Sequence, residues 1–242
     1  MEYRTLGRSG CAVSTFALGT MTFGAETDEL GSHRQLDAFV ESGGTLVAPG
    51  NLGGSNWEPA AFDPDTGMLY VGSWTNPTVY ALTSNPQRSD MNYIAGNAQV
   101  PRVSGLPILK PPYSRITAIN LQTGQHAWMV PNSDTPEWAK NNPALKGLTI
   151  PRTGQAGIIG TLTTRGLVIA GESRVTTTST GVRGAMLRAY DKNDGKEVGA
   201  VYIPAPQSGS PMTYMLNGKQ YIIVAVSGGN YSGELIAFKL PG

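Results

Sequence analysis

The stretch ITAINLQTGQHAW, residues 116–128, decides the fold of this chain, and it recurs in weaker form as LRAYDKNDGKEVG, residues 187–199. Each copy has an apolar segment with an alanine at its middle, Ala118 or Ala189, then a polar turn and a second segment. An internal repeat of a short apolar run, a turn and another run is typical of repeated β-sheet units. We therefore predict a strand-turn-strand unit that occurs twice.

The turn of each copy has the same chemistry. Asn120 and Asp191 can each fold a short side chain back onto the amides of the turn. Gly124 and Gly195 follow four residues later and can adopt a positive φ without a steric penalty. The two turns should therefore have the same conformation.

The copies differ at their last residue, which is Trp128 in the first and Gly199 in the second. We expect Trp128 to fill the gap beside a small residue of an adjacent sheet, with its indole N–H donating to a carbonyl. The junction after the second copy lacks this anchor. We expect neighbouring bulk such as Tyr202 to offset part of the loss.

Composition narrows the class of protein. The 242 residues include 31 Gly and 17 Pro, only 14% are charged, and the net charge is +1. This is typical of a turn-rich all-β protein and gives no electrostatic basis for binding nucleic acid or an anionic membrane. The single cysteine, Cys11, excludes an internal disulfide. No apolar run reaches the roughly 18 residues of a membrane span, and the N-terminus does not resemble a secretion signal, so the chain as written is expected to be cytoplasmic.

The chain divides into two unlike segments near residues 47 and 48. Residues 14–21 predict a strand, residues 29–42 a helix followed by glycines, and residues 45–47 the start of another strand. After Ala48 hairpin signals replace helical periodicity. We predict domains at residues 1–47 and 48–242.

The hairpins after Ala48 form three groups, at about residues 51–131, 154–204 and 209–242. Each reads as a four-stranded antiparallel meander, and the last lacks its fourth strand. The strongest single hairpin signal is Asn217-Gly218. We predict a mainly β fold: a partial β-propeller of about three four-stranded antiparallel blades, the last incomplete, with a short N-terminal strand-helix segment.

The pattern A-x-[DN]-x-x-T-G-x-x-x-W at residues 118–128 resembles the tryptophan-docking motif of pyrroloquinoline-quinone (PQQ)-dependent, or quinoprotein, dehydrogenases. Supporting stretches are GGSNW at residues 53–57, FDPDTGMLYV at 62–71, LKPPY at 109–113 and PMTY at 211–214. The likeness covers about residues 51–242 and is nearest to the C-terminal part of the glucose-dehydrogenase-like branch. It implies oxidation of an alcohol or sugar hydroxyl, transfer of electrons to an acceptor, PQQ and Ca²⁺ as cofactors, and a periplasmic or inner-membrane-associated location.

The resemblance also implies cofactor contacts. Asn56 would donate to a PQQ oxygen, Trp57 would pack nearby, and Gly53 and Gly54 would allow close backbone approach. The family's calcium ligands and catalytic aspartate precede the matched region, so no catalytic residue or metal ligand is assigned to this chain, and activity of the chain alone is doubtful.

A second resemblance concerns residues 1–47. LGRSG at residues 6–10, LGTM at 18–21 and SHR at 32–34 resemble the N-terminus of aldo-keto reductases, NADPH-dependent (β/α)₈-barrel enzymes. The likeness ends before that family's catalytic aspartate, so we expect no hydride transfer from this segment. We interpret the chain as a quinoprotein fragment fused at Val47/Ala48 to an aldo-keto reductase-like fragment.

Other candidate patterns have structural interpretations. Asp63 and Asp65 belong to a hairpin turn and do not supply the six to eight oxygens that Ca²⁺ prefers. His33 and His126 are isolated. The glycines at 154, 157 and 160 enter a strand, whereas a dinucleotide loop enters a helix.

Two other functions remain open. One is a non-catalytic β-propeller-type binding module that uses exposed strand edges or the insertion at residues 83–112. The other is NADPH-dependent reduction. Open strand edges also predict self-association.

Overall fold

The structure is a computed structural model that describes residues 2–5, 12–14, 18, 27–43, 46–47, 53–56, 58–92, 94–97, 100–177 and 181–239. The helices are α1 (Glu29–Glu41) and the short α2 (Glu137–Lys140), with a 3-10 turn at Pro143–Leu145. The strands, numbered along the chain, are β1 (Tyr3–Thr5), β2 (Ala12–Ser14), β3 (Leu46–Val47), β4 (Ala61–Asp63), β5 (Met68–Trp74), β6 (Thr78–Thr83), β7 (Ile94–Asn97), β8 (Arg102–Val103), β9 (Leu106–Pro107), β10 (Ser114–Asn120), β11 (His126–Pro131), β12 (Leu162–Thr163), β13 (Leu167–Gly171), β14 (Thr176–Thr177), β15 (Arg183–Asp191), β16 (Glu197–Ile203), β17 (Met212–Leu216), β18 (Lys219–Gly228) and β19 (Tyr231–Lys239). The predicted mainly β class is confirmed.

The chain forms two compact units. Residues 1–54 and 76–110 make the first, and residues 55–75 and 111–242 make the second. The first unit contains helix α1, the hairpin β1-β2, the antiparallel sheet β3-β6-β7 and the hairpin β8-β9. The predicted helix is present, but most of the predicted strand at 14–21 lies outside the described residues. No helix in the described ranges is long and apolar enough to cross a membrane.

The second unit consists of three antiparallel sheets, which we call the first, second and third sheets. The first sheet has the order β11-β10-β5-β4 and the third the order β17-β18-β19. The second sheet has the order β12-β13-β15-β16, and the short strand β14 also pairs with the start of β15. The partial-propeller prediction of about three blades agrees with this arrangement. The short strand β14 lies between β13 and β15 in the chain and is additional to the four strands predicted for this group.

Two apolar clusters hold the second unit together. One joins residues of the first and second sheets and centres on Tyr70, Ile116, Ala118, Ile159, Val168, Ala170 and Tyr190. The other joins the second and third sheets and centres on Ile169, Ala185, Leu187, Ile203, Ala205, Ile222, Val224 and Val226. Alternate residues of β13 and β15 point into different clusters because successive strand side chains face opposite sides of a sheet. The second sheet is therefore buried on both faces.

The hairpin between β17 and β18 has the predicted turn chemistry. Asn217 has φ of 51° and Gly218 has φ of 74°. Positive φ at both central residues is the requirement of a type I′ turn, which suits the twist of a tight hairpin.

Candidate cofactor site

The residues predicted to contact PQQ, residues 53–57, precede strand β4 of the first sheet in the chain. Asn56 belongs to the second unit, its side chain is exposed, and it makes no hydrogen bond to any described residue. An exposed side-chain amide can donate a hydrogen bond to a quinone oxygen. Gly53 and Gly54 belong to the first unit and are half-buried, and Gly53 has φ of 70°. Trp57 lies outside the described residues, so its predicted role is not tested.

The two repeat turns have the same conformation, as predicted. The Asn120 side-chain oxygen accepts from the amides of Gln122 at 2.9 Å and Thr123 at 3.1 Å, and that of Asp191 accepts from the amide of Asn193 at 2.8 Å. In both copies a β-bulge follows the central alanine. The alanines pair with equivalent positions, Ala118 with Trp128 and Ala189 with Gly199.

Trp128 docks on the turn of the second copy. Its indole Nε1 donates to the backbone carbonyl of Lys192 at 2.8 Å, and its ring lies 5.7 Å from the ring of Tyr70 between centroids. A Cβ added at Gly195 would lie 2.6 Å from the indole ring, and Gly195 has φ of 72°. Only glycine fits there without displacing the ring. The predicted docking of Trp128 through a carbonyl is confirmed.

Lys192 joins the first and second sheets a second time through its side chain. Its ammonium lies 2.5 Å from a carboxylate oxygen of Asp63, and both side chains are buried. The Thr66 hydroxyl and the Asp65 amide also donate to Asp63. The hydrogen bond from Lys192, together with these donors, lowers the pKa of Asp63 below its ordinary value. Asp63 therefore closes its own hairpin turn and ties that turn to the next sheet.

The junction after the second copy is built differently. A Cβ added at Gly199 would meet no atom within 4 Å. Tyr202 does not compensate as expected, because its ring lies over Gly184 of its own sheet and its hydroxyl donates to the Arg183 carbonyl at 3.1 Å. The missing tryptophan leaves open space at this position.

Gln207 supplies the polar link at this second junction. Its side-chain Nε2 donates to the carbonyls of Gly160 at 2.8 Å and Gly209 at 2.7 Å, and its Oε1 accepts from the Gly171 amide at 2.6 Å. Its backbone amide donates to the Glu172 carbonyl at 2.9 Å. Gln207 also bridges to Val226 of the third sheet. One buried side chain thus satisfies three backbone groups at this junction.

A buried ion-pair network lies on the second sheet, and sequence patterning does not predict it. Arg188 Nη2 lies 2.6 Å from Glu172 and 3.1 Å from Asp134, and its Nη1 lies 2.9 Å from Glu197. Arg152 lies 2.6 Å from Glu197. Burial alone would lower the pKa of Arg188, but the surrounding carboxylates outweigh burial and raise it. The sequence signal that could have indicated this network is Arg188, a charged residue in the middle of an apolar strand.

A second buried polar link connects β15 to the loop after the first sheet. The Tyr190 hydroxyl donates to the side-chain oxygen of Asn132 at 2.8 Å, and the Asn132 amide donates to the Gly171 carbonyl at 2.9 Å. Burial raises the pKa of Tyr190 well above its ordinary value. Tyr190 is therefore a neutral hydrogen-bond donor in the folded chain.

A cavity of about 230 Å³ opens beside this network. It is lined on one side by the loop and helix at 134–138 and Lys140, and on the other by Val175, Thr176, Thr177 and Arg183, with Gln155 between them. Among the described residues that line it, Gly53, Gly54 and Asn56 do not occur.

The remaining sequence candidates have structural roles. Within the described ranges no cluster of three His, Cys, Asp or Glu side chains could hold a metal ion. Gly154 packs where a Cβ would lie 2.4 Å from the Ser114 carbonyl, and Cβ atoms at Gly157 and Gly160 would collide with Ser173 and Ser210. These glycines allow close packing of loops.

The sheets, the bulged repeat and the docked tryptophan define this chain as part of a β-propeller. Residues 33–222 match the PQQ family described as glucose/ethanol/alcohol dehydrogenase, beta-propeller domain. The chain belongs to this family.

The chain is similar to curated dehydrogenases that are named for different substrates. Quinate/shikimate dehydrogenase (quinone) of Acinetobacter baylyi is 28% identical over 227 residues, which cover 83% of this chain and 27% of that protein. Quinoprotein glucose dehydrogenase of Escherichia coli is 28% identical over 224 residues, which cover 82% of this chain and 27% of that protein. The chain thus spans about a quarter of the length of these relatives.

Solved structures show the same fold. Quinohemoprotein alcohol dehydrogenase from Comamonas testosteroni matches with a TM-score of 0.51 and 23% identity, over 75% of this chain and 23% of that one. The quinohemoprotein alcohol dehydrogenase ADHIIG from Pseudomonas putida matches with a TM-score of 0.50 and 19% identity, over 79% of this chain and 25% of that one. At these identities the likeness concerns the fold alone.

Proposed function

We propose that this chain supplies blades of a PQQ-dependent dehydrogenase that oxidises an alcohol or sugar hydroxyl. The observation that carries the proposal is the docking of Trp128 on Lys192 and Gly195, since it is the geometry that the family's repeat motif requires. Family membership over residues 33–222 supports it. The matched regions span about a quarter of the length of the curated relatives, and we propose that the whole activity requires more blades than these residues form.

In this proposal Asn56 binds the cofactor. Bound PQQ would supply the capacity to accept two electrons from the substrate. The exposed Asn56 amide would donate a hydrogen bond to a quinone oxygen, and such a donor would favour the negative charge that the quinone takes up on reduction. The resemblance would also give Trp57 a place beside the cofactor, and Gly53 and Gly54 would allow close backbone approach to the flat ring. No residue here is assigned as the base or as a calcium ligand.

The substrate and acceptor follow from the names of the relatives. Similar proteins are named for quinate or shikimate, glucose, and glycerol, and one is named with cytochrome c. We propose a hydroxyl-bearing substrate of this kind, a quinone or cytochrome as electron acceptor, and a periplasmic or membrane-associated location.

The test is to titrate the purified chain with PQQ in the presence of Ca²⁺ and to measure binding by calorimetry. Loss of one hydrogen bond is worth about 0.5–1.5 kcal/mol, so Asn56→Ala should weaken PQQ binding by about 2- to 10-fold. Asn92→Ala, at another exposed asparagine, is the matched control and should bind like the parent. Absence of PQQ binding by the parent chain would overturn the assignment of Asn56.

A second candidate, a non-catalytic binding module, is favoured by the outer strand of the third sheet. Strand β19 pairs only with β18 among the described strands, and it exposes Leu235 and Tyr231. An unpaired apolar edge is a template for pairing with another strand. Sedimentation of the chain over a range of concentrations tests self-association through this edge. Leu235→Lys should return an associating chain to a monomer.

We also propose that residues 1–47 form an aldo-keto reductase-like segment joined at Val47/Ala48. The hairpin β1-β2 and helix α1 are compatible with a fragment of such an enzyme. Sequencing genomic DNA across codons 47 and 48 tests the join, since a continuous read supports a fusion. Binding of NADPH to the chain would favour the third candidate, a reductase.

A further inference from the structure

Strand β19 carries a third copy of the strand that contains the repeat alanine. In each of the three sheets this alanine pairs with an apolar residue of the neighbouring strand: Ala118 with Tyr70, Ala189 with Ile169, and Ala237 with Ile223. Another apolar residue stands two positions before each alanine, namely Ile116, Leu187 and Leu235. These last three residues therefore occupy the same position in the three sheets.

The three equivalent positions differ in their burial. Ile116 is 0% exposed in the cluster between the first and second sheets, and Leu187 is 5% exposed in the cluster between the second and third. Leu235 is 71% exposed. The third sheet therefore exposes the face that the following sheet covers in the other two.

We call this exposed surface the trailing face of the third sheet. Side chains alternate between the two faces along a strand. The strand register therefore assigns to the trailing face the apolar residues Met212, Tyr214, Leu216, Tyr221, Ile223, Ala225, Leu235 and Ala237. Met212, Tyr214, Leu216 and Leu235 are all exposed. A broad apolar patch on a protein surface typically marks an interaction site.

The first sheet has an apolar outer face of its own, which we call its leading face. This face lies opposite the side of the sheet that packs on the second sheet. Its apolar residues are Phe62, Leu69, Val71, Ile119 and Met129. Phe62 and Met129 are exposed. The two outermost sheets of the second unit thus each present an apolar surface.

The leading face corresponds to the faces through which the other two sheets pack on the sheet before them. Its central residues are Leu69, Val71 and Ile119. The equivalent residues are Val168, Ala170 and Tyr190 in the second sheet and Ile222, Val224 and Phe238 in the third. Those of the second sheet are buried against the first, and Ile222 and Val224 are buried against the second. The leading face therefore has residues of the kind that cover a trailing face.

The outer sheets do not have the pattern of sheets that face water. A stack of repeats normally ends in units with a polar outer face, and an antiparallel strand with one solvated face alternates between apolar and polar residues. Strand β18 instead has the unbroken apolar run YIIVAV at residues 221–226. Strand β13, which lies in the sheet buried on both faces, has the similar run LVIAG. The third sheet is therefore expected to be covered on both faces as well.

A second copy of the chain supplies the surface that each outer face lacks. The leading face of one copy offers to the trailing face of the other the same positions that pack at both junctions within the chain. The contact therefore continues an arrangement that the chain already forms twice. Because the two surfaces in contact differ, the interface is heterologous, and such an interface gives either a closed ring or an open fibre.

The number of sheets favours a closed ring of two copies. The described residues of the second unit form three sheets, and β-propellers typically have about four to eight sheets around their axis. Two copies fall within this range, whereas three copies exceed it. We propose that two copies of this chain associate head to tail, with the trailing face of each on the leading face of the other, and close a ring of six sheets. Both apolar faces are then covered in both copies.

The test measures the mass of the purified full chain by sedimentation velocity and light scattering over a range of concentrations. We expect a monomer-dimer equilibrium without larger species. Leu235→Lys on the trailing face and Phe62→Lys on the leading face should each raise the dimer dissociation constant at least about 10-fold, because each places a charge in both interfaces. Leu148→Lys, at an exposed leucine outside the strands, is the matched control and should dimerise like the parent. Circular dichroism establishes that each variant is folded.

Met129→Lys on the leading face and Met212→Lys on the trailing face repeat the test at second exposed positions. They replace Phe62→Lys or Leu235→Lys if either of those variants does not fold. The leading-face variants separate this contact from pairing along the β19 edge and from contact between two trailing faces, because neither of those involves the first sheet. A monomer at all concentrations, species larger than a dimer, or dimerisation unchanged by both leading-face variants overturns the proposal.

This proposal does not rest on the proposed function, since the mass is measured without PQQ. A dimer that does not bind PQQ would support the ring and overturn the assignment of Asn56. A monomer that binds PQQ would overturn the ring and leave that assignment standing.

Discussion

The two junctions of the second unit connect neighbouring sheets by different means. At the first, a large aromatic ring from β11 reaches the turn of the next repeat, where Trp128 binds the Lys192 carbonyl and Lys192 pairs with Asp63. At the second, Gly199 leaves open space, and Gln207 bonds backbone groups beside an apolar cluster. The two junctions show that neighbouring sheets need close packing and hydrogen-bonded backbone groups where they meet. An aromatic residue supplies these at the first junction, and a glutamine beside an apolar cluster supplies them at the second.

Trp128→Ala should have the largest effect on this comparison. Removing a large aromatic side chain costs about 3–5 kcal/mol, and Trp128 is only partly buried, so we expect a loss of about 3 kcal/mol in the free energy of unfolding. Urea denaturation followed by circular dichroism measures it. Trp128→Phe keeps a ring but loses the hydrogen bond to Lys192 and should lose less. A change below about 1 kcal/mol for Trp128→Ala would show that the docking is not what holds the first junction.

Gln207→Leu tests the second junction. The change removes the acceptor for the Gly171 amide and the donor to the Gly160 carbonyl, and both groups lie in buried surroundings. A buried group left without its partner costs about 1–3 kcal/mol, so we expect a loss of about 2 kcal/mol in urea denaturation. Gln220→Leu, on strand β18, is a control whose side chain makes one bond to Thr213. An equal loss in the two variants would contradict the role given to Gln207.

The Asp63–Lys192 pair predicts a pH dependence of the first junction. The pKa of Asp63 is lower in the folded chain than in the unfolded chain. The ion pair therefore stabilises the folded state fully at pH values above the unfolded-state pKa of about 3.9, and this stabilisation is lost as the pH falls through the folded-state pKa. Asp63→Asn should therefore be less stable than the parent at pH 7, and the difference should shrink below about pH 4. Denaturation midpoints from pH 7 to pH 2.5 measure it. A difference that stays constant through this range would exclude titration of Asp63 as its cause.

Gly199→Ala should have the smallest effect. The added methyl group enters open space, and replacing glycine within a strand removes a conformational penalty of roughly 0.5–1 kcal/mol. We expect a change of at most about 1 kcal/mol, toward higher stability. Gly195→Ala is the matched comparison at the first junction and should destabilise the chain, because the new methyl group meets the Trp128 ring. Thermal denaturation of both variants measures the difference. Destabilisation by Gly199→Ala would show that the space beside Gly199 is filled and not open.

Sequence reasoning predicted the local features of the fold well. The turn chemistry of Asn120 and Asp191, the type I′ hairpin at Asn217-Gly218, and the carbonyl partner of Trp128 are all present. Each depends on residues close in sequence or on one strongly preferred contact. The expectation for Tyr202 was wrong, because its ring lies over Gly184 across the strand pair. The sequence around Tyr202 does not show that this glycine is its neighbour.

The candidate site was predicted only in part. Asn56 is exposed and available, but Trp57 lies outside the described residues, and the cofactor role of these residues and of Gly53 and Gly54 stays a prediction. The cavity at Gln155 was not predicted, because its walls come from residues near 134, 155 and 176 that approach each other only in the folded chain.

The sequence by itself determined that this chain is mainly β, where its repeat turns lie, and which family it resembles, because strand periodicity and turn φ values depend on adjacent residues. Tertiary structure alone decided that Arg188 meets Glu172, that Lys192 meets Asp63, and that Gln207 links the second and third sheets. Such contacts depend on the register and distance between sheets. No short stretch of sequence contains that information.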